Sequence, residues 1–122
     1  MYPGDAYSVE FRTDADPEIP KLSMEYTIPI GLIVNELVSN SLKHAFDDTE
    51  KSCICISLQL NGNDLVLKVR DNGKGFPTSQ AEEPRTLGLQ IVDLLTEQLD
   101  GTVERSNSEG ANTTVNIPFI EE

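Results

Sequence analysis

The sequence predicts an α+β domain in two layers: a mixed, mostly antiparallel sheet with helices gathered on one face. Two observations carry that prediction. Alternating apolar and polar stretches come in neighbouring pairs joined by turn residues, and only two stretches with helical spacing interrupt them. Each alternating stretch also has a single apolar face, so each strand has one side for a helix layer and one for solvent. At 122 residues, a single domain spanning 1–122 is expected, because two well-buried cores need more chain.

The elements follow in order. Tyr7, Val9 and Phe11 alternate with polar neighbours, a turn-rich Thr13 to Pro20 follows, and Lys21 to Met24 reads as a second extended stretch, so the chain is expected to open with a hairpin. From Thr27 to Phe46 the spacing becomes helical, with Thr27 placed to cap the start and Pro29 in the first turn, where a missing N–H costs nothing. Ile33, Val34, Leu37, Ser41 and Ala45 form its core stripe, and Asp47, Asp48 and Thr49 break it. Ile54, Ile56, Leu58 and Leu60 then alternate with polar or small residues, Asn61-Gly62-Asn63 turns the chain, and Leu65, Leu67 and Val69 alternate again as the second arm of a hairpin. Gly73 to Thr86 reads as a mobile loop. A second helix is predicted over Leu87 to Leu99, with Ile91, Leu94, Leu95 and Leu99 on its apolar face and Gly101 just past its end. Thr102 to Arg105 and Thr113 to Phe119 close the chain as two strands about a turn from Ser106 to Asn112.

Charge and composition narrow the function. Nine basic against twenty-one acidic residues give a net charge of −12. Such a surface repels a phosphate backbone and an anionic leaflet, so neither nucleic acid nor a membrane surface is an expected partner. The longest apolar runs, such as Ile28 to Val34, fall far short of the roughly 20 residues of a bilayer span, and a cytoplasmic setting is expected. Cys53 and Cys55 alternate along a strand and read as two reduced strand residues, not as a disulfide or a metal site.

Three stretches hold residues suited to chemistry. On the long helix, 100° per residue places Glu36, Asn40 and Lys43 within about 60° of one another, with His44 at the margin. A carboxylate, an amide oxygen and an ammonium in one row suit a divalent cation and a phosphate chain; a plain solvated face is the alternative. Asp71-Asn72-Gly73-Lys74-Gly75-Phe76 follows a strand directly, where a fixed carboxylate can accept from an exocyclic amine and the glycines admit a flat ring; a plain turn is the alternative. An EF-hand is excluded, because Gly73 and Gly75 stand where oxygen ligands are needed. Thr86-Leu87-Gly88-Leu89-Gln90-Ile91-Val92 leads a polar loop into a helix whose first N–H groups attract phosphate, or else Gly88 is a packing glycine. No P-loop and no dinucleotide fingerprint occurs, and His44 has no sequence-local nucleophile.

Taken together and in this order, these stretches resemble the ATP-binding catalytic domain of sensor histidine kinases, of the Bergerat-fold superfamily that includes gyrase, heat-shock chaperone and mismatch-repair ATPases. Asn35 to Phe46 is similar to the N box, Asp71 to Phe76 to the G1 box and Leu87 to Val92 to the G2 box, and the resemblance extends from Val9 to Phe119. Ile28-Pro29-Ile30-Gly31-Leu32-Ile33-Val34 looks most like the kinases with the less common type of dimerisation helices. The resemblance implies ATP and Mg²⁺ as ligands. Asn40 would ligate the Mg²⁺, and Lys43 would contact the phosphates. Asp71 would accept from the adenine amino group, Gly73 and Gly75 would shape that pocket, and Gly88 would close over the phosphates. Thr113 matches a threonine near the adenine, and Glu36 stands where relatives carry the residue that polarises the nucleophile. Two departures stand out: Thr86 replaces the usual first glycine of the G2 box, and the short loop before it lacks an F-box phenylalanine, with Arg85 a candidate cation there.

The resemblance implies phosphoryl transfer to a histidine on a separate dimerisation domain of a longer sensor kinase, with a response regulator downstream. An anti-sigma-type serine kinase that sequesters a protein partner is the alternative, and a docking module without nucleotide is a second.

Overall fold

The computed structural model of the chain describes residues 9–44, 52–73, 86–107 and 109–119. Five strands and two helices appear in the order β1 (Val9–Ala15), α1 (Met24–His44), β2 (Ser52–Asn61), β3 (Asp64–Asp71), α2 (Leu87–Gln98), β4 (Thr102–Asn107) and β5 (Ala111–Pro118). The sheet order is β1-β2-β3-β5-β4. All neighbours run antiparallel except β1 and β2, which are parallel, giving the mixed α+β sheet the alternation predicts.

The β2–β3 hairpin shows most directly how sequence dictates structure. Its two arms pair from Ile54 opposite Asp71 to Asn61 opposite Asp64, around a turn at Gly62 and Asn63. This register puts Leu58 beside Leu67, and Leu67 in turn beside Val115 of β5, all on one face. Ile54, Leu65, Leu67, Val69, Val115 and Ile117 are buried there against Ile30, Ile33 and Leu37 of α1 and Leu89 and Val92 of α2. Lys68 and Arg70 alternate outward and are exposed. Phe119 closes one end of this core. Its N–H donates to the Asn63 carbonyl at 2.7 Å, and its ring meets Tyr26 edge-on with centroids 5.2 Å apart.

Three expectations are corrected. The chain does not open with a hairpin: Lys21 to Ser23 has no strand conformation, and β1 pairs instead with β2, in the register Val9 to Ser52 through Ala15 to Leu58. Parallel neighbours need a crossover, and α1 supplies it. Asp16 then fastens the end of β1, its N–H donating to the Leu58 carbonyl at 2.9 Å while its carboxylate accepts from the Leu60 N–H. Second, α1 starts three residues before Thr27. The Ser23 carbonyl accepts from the N–H groups of Tyr26 and Thr27, so Ser23 holds the capping position and Pro29 falls in the second turn. The bond Pro29 cannot donate would have gone to the carbonyl of exposed Glu25, where water is available. Third, Leu94 is not on the inner face of α2 but 64% exposed; Leu89, Val92 and Thr96 are the buried residues. The core stripe of α1 stands as read, with Ile33, Leu37 and Ser41 buried and Val34 half-buried, while Ala45 and Phe46 lie outside the described residues. The final strands are longer than predicted, β4 running on to Asn107 and β5 beginning at Ala111.

Candidate functional site

Asp71 ends β3 on the inner face, opposite Ile54, and is 5% exposed. A carboxylate cannot stay buried without donors, and three reach it. The Ser41 hydroxyl donates to Oδ2 at 2.6 Å, and the backbone N–H groups of Gly73 and Ala111 donate to Oδ1 at 2.9 and 3.1 Å. The carboxylate is thereby fixed from α1, from its own following turn and from the start of β5. A carboxylate accepts at about four positions, so the three donors among the described residues leave room for a further one.

Ser41 is the residue sequence reasoning missed. Its place in the helical core stripe is correct, but its hydroxyl serves Asp71, thirty residues downstream. Periodicity assigns a face and cannot name a polar partner on it. Gly110 was also unmarked. It holds φ +126, a conformation that side chains rarely adopt, and a Cβ there would stand 1.9 Å from the Asp71 carbonyl oxygen. Only a glycine lets the β4–β5 turn approach β3 closely enough for the Ala111 N–H to reach the carboxylate.

The second contact joins the two helices. Glu36 on α1 lies against Gly88 in the first turn of α2, its Oε1 2.8 Å from where a Cβ on Gly88 would be. A carboxylate beside the open N–H groups of a helix start is a favourable placement. Thr86 caps that helix, its hydroxyl accepting from the Leu89 N–H at 3.3 Å. The departure from glycine at Thr86 therefore has a structural use. Arg105 of β4 braces the same helix by donating to Asp93 at 2.9 Å, from a side chain only 16% exposed.

Between these contacts lies the last part of α1. Asn40 is half-buried and Lys43 exposed; Asn40 follows Glu36 by four residues and Lys43 follows Asn40 by three, both helical spacings. Thr113 is buried on β5 opposite Val69, one inward position from Asp71. The fold thus gathers Glu36 with Gly88 and Ser41 with Asp71, with Asn40 between them along the helix. Lys74, Gly75, Phe76 and Arg85 lie outside the described residues, as does the predicted mobile loop apart from its ends, and so does the side chain of His44. No helix among the described residues is long and apolar enough to cross a membrane.

A mixed five-stranded sheet carrying two helices, with a buried carboxylate at one strand end and a glycine at the start of the second helix, defines an α+β domain of a recognisable class. The profile of the histidine kinase-, DNA gyrase B- and HSP90-like ATPases matches residues 26–121, and the chain belongs to that family. The sensor histidine kinase PdtaS of Mycolicibacterium smegmatis is 36% identical over 93 residues, covering 72% of this chain and 19% of that protein. DegS of Bacillus subtilis, a signal transduction histidine-protein kinase/phosphatase, is 26% identical over 111 residues, covering 89% of this chain and 28% of that protein. Among solved structures, the blue-light activated histidine kinase of Erythrobacter litoralis superposes with a TM-score of 0.82 at 25% identity, covering 91% of this chain and 35% of that one. The chain spans less than a third of the length of either curated relative.

Proposed function

We propose that residues 1–122 form one ATPase domain of a longer, cytoplasmic-facing sensor kinase. The domain binds Mg-ATP and passes the γ-phosphate to a histidine on a dimerisation domain, from which a response regulator takes it. The observation that carries this reading is the Asp71 carboxylate, buried and fixed by Ser41, Gly73 and Ala111, with acceptor capacity beyond these three donors among the described residues. An exocyclic amine is the kind of donor that position suits, and Gly73 beside it leaves space for a flat ring. Thr113 would line the same pocket, and Gly75 would shape its rim.

The phosphates would then run toward the start of α2. The residues present fit that course: Asn40 has an amide oxygen, Lys43 an exposed ammonium, and Gly88 lies in the first turn of a helix whose N–H groups favour anions. Asn40 would hold Mg²⁺, which when bound neutralises charge along the phosphate chain. A neutral imidazole is already a nucleophile, so the domain's task is positioning and charge stabilisation. The bond from the γ-phosphorus to its bridging oxygen breaks as the bond to the imidazole nitrogen forms, and ADP leaves. Glu36 would orient the attacking imidazole and take up its proton.

The test is calorimetric titration with ADP and a non-hydrolysable ATP analogue, with and without Mg²⁺, on the wild type and on Asp71→Asn. Saturable binding that Mg²⁺ strengthens and the substitution abolishes is the expected result. A folded protein that binds neither nucleotide would overturn the reading.

A further inference from the structure

The outer face of the sheet, away from both helices, holds a pair the proposed activity does not use. Cys53 and Cys55 are both free thiols, half-buried on β2, with sulfurs 3.8 Å apart. Alternation puts them on one side of the strand but does not bring the sulfurs into contact; here both side chains lean together. Two chemistries suit adjacent thiols, and backbone spacing separates them.

Residues two apart on a strand lie about 6.5 Å from one another, with side chains leaving the strand in parallel. A disulfide needs Cβ atoms roughly 3.5–4.5 Å apart, so closing one here would require β2 to buckle. β2 is poorly placed to do so. Ile54, between the two cysteines, is fully buried opposite Asp71, and the Cys53 backbone is tied on both sides to Asn72, donating to its Oδ1 at 2.8 Å and accepting from its N–H at 3.2 Å. An ion between the sulfurs asks for no backbone change. A first-row d¹⁰ ion holds each thiolate sulfur at about 2.3 Å, so bridged sulfurs stand roughly 3.8 Å apart at a tetrahedral angle and ~4.6 Å when linear. Rotation of the two side chains covers that range.

The surroundings select among ions. No group of three or more His, Cys, Asp or Glu side chains gathers as a metal set among the described residues, so the pair offers sulfur at two positions only. Zinc sites are almost always four-coordinate, whereas soft monovalent copper accepts two thiolates. Two thiolates and one such ion carry a net negative charge. Arg12 on β1 and Arg70 on β3 are the register partners of Cys55 on its two sides and share its face. Glu10, the register partner of Cys53 on the same face, pairs with Arg12 at 3.4 Å, so the two guanidinium groups together balance that carboxylate and the ion-bridged thiolate pair. We propose that Cys53 and Cys55 form a two-thiolate site for a soft monovalent cation, Cu(I), on the outer face of the sheet.

The test is an anaerobic competition between the reduced protein and bicinchoninate, a coloured Cu(I) chelator, for the wild type, Cys53→Ser and Cys55→Ser. A single ion per chain is expected to be retained, and either substitution, by removing chelation, should weaken retention ~100-fold or more. Equal retention by a single-serine variant would overturn the proposal, as would Zn(II) held as tightly as Cu(I). Copper X-ray absorption on the loaded wild type needs no variant: two sulfur neighbours are expected, and a nitrogen or oxygen shell would overturn it. Neither readout depends on nucleotide binding.

Discussion

Helix α1 meets the sheet in two ways along its length. In its first turns Ile30 and Ile33 are buried among Leu65, Val115 and Ile117, and Tyr26 leans on Phe119. Non-directional contact area holds that region, and the neighbouring surface, with Met24, Ile28 and Leu32 exposed, is apolar as well. In its second half Leu37 still packs into the core, but the helix adds two links made by single groups: the Ser41 hydroxyl on Asp71 and the Glu36 carboxylate against Gly88. Area stabilises a fold and tolerates small shifts. Directional contacts add little net stability but set the positions of a few oxygens to within tenths of an ångström, which is what a binding site needs.

The largest effect should follow from attacking the first region. Ile33 is fully buried, and Ile33→Ala should cost about 2–5 kcal/mol, read as a lower urea midpoint with nucleotide affinity per folded molecule unchanged. If affinity fell in step with stability, the division between the two regions would fail. Gly110→Ala comes next. A methyl group 1.9 Å from the Asp71 carbonyl oxygen, at a φ that disfavours side chains, should cost on the order of 3 kcal/mol and also weaken nucleotide binding, since it moves the Ala111 N–H.

Ser41→Ala sharpens the contrast. It removes a donor to a buried carboxylate and should cost about 1.5–3 kcal/mol, while nucleotide affinity falls at least as strongly; calorimetry and thermal melting on the same sample give both. The smallest effect belongs to the cap. Thr86→Ala should cost about 1 kcal/mol, and Thr86→Gly, which restores the residue usual in the G2 box, only a few tenths. Equal losses for the two would mean that the Thr86 hydroxyl does not cap α2.

Much of this arrangement is legible in the sequence, and the exceptions share a cause. The β2–β3 hairpin is readable because its partners are neighbours in sequence and Asn61-Gly62-Asn63 marks the turn. The strand β1 is equally readable as a strand, but its partner lies beyond α1, and alternation records which face a strand buries without naming its neighbour. The same limit explains Ser41, whose face is predictable and whose partner is not. Leu94 illustrates a different one. α2 carries leucine, isoleucine or valine at six of its 12 positions, so several stripes fit the spacing, and contact with the sheet selects the one through Leu89 and Val92. Of the residues expected at the site, Asp71, Gly73, Glu36 and Gly88 are brought into specific contacts, while Asn40, Lys43 and Thr113 are positioned by the elements that carry them.

The parallel pairing of β1 has a practical consequence for anyone trimming the protein. The family profile begins at residue 26, after β1 has ended, so a version cut to that boundary would keep every residue of the proposed nucleotide site. It would also strip the cover from β2, leaving a ten-residue strand with its hydrogen-bonding edge bare and Ile54, Ile56, Leu58 and Leu60 in one row along it. A long apolar edge of that kind is a template for another chain, and such a trimmed protein should self-associate.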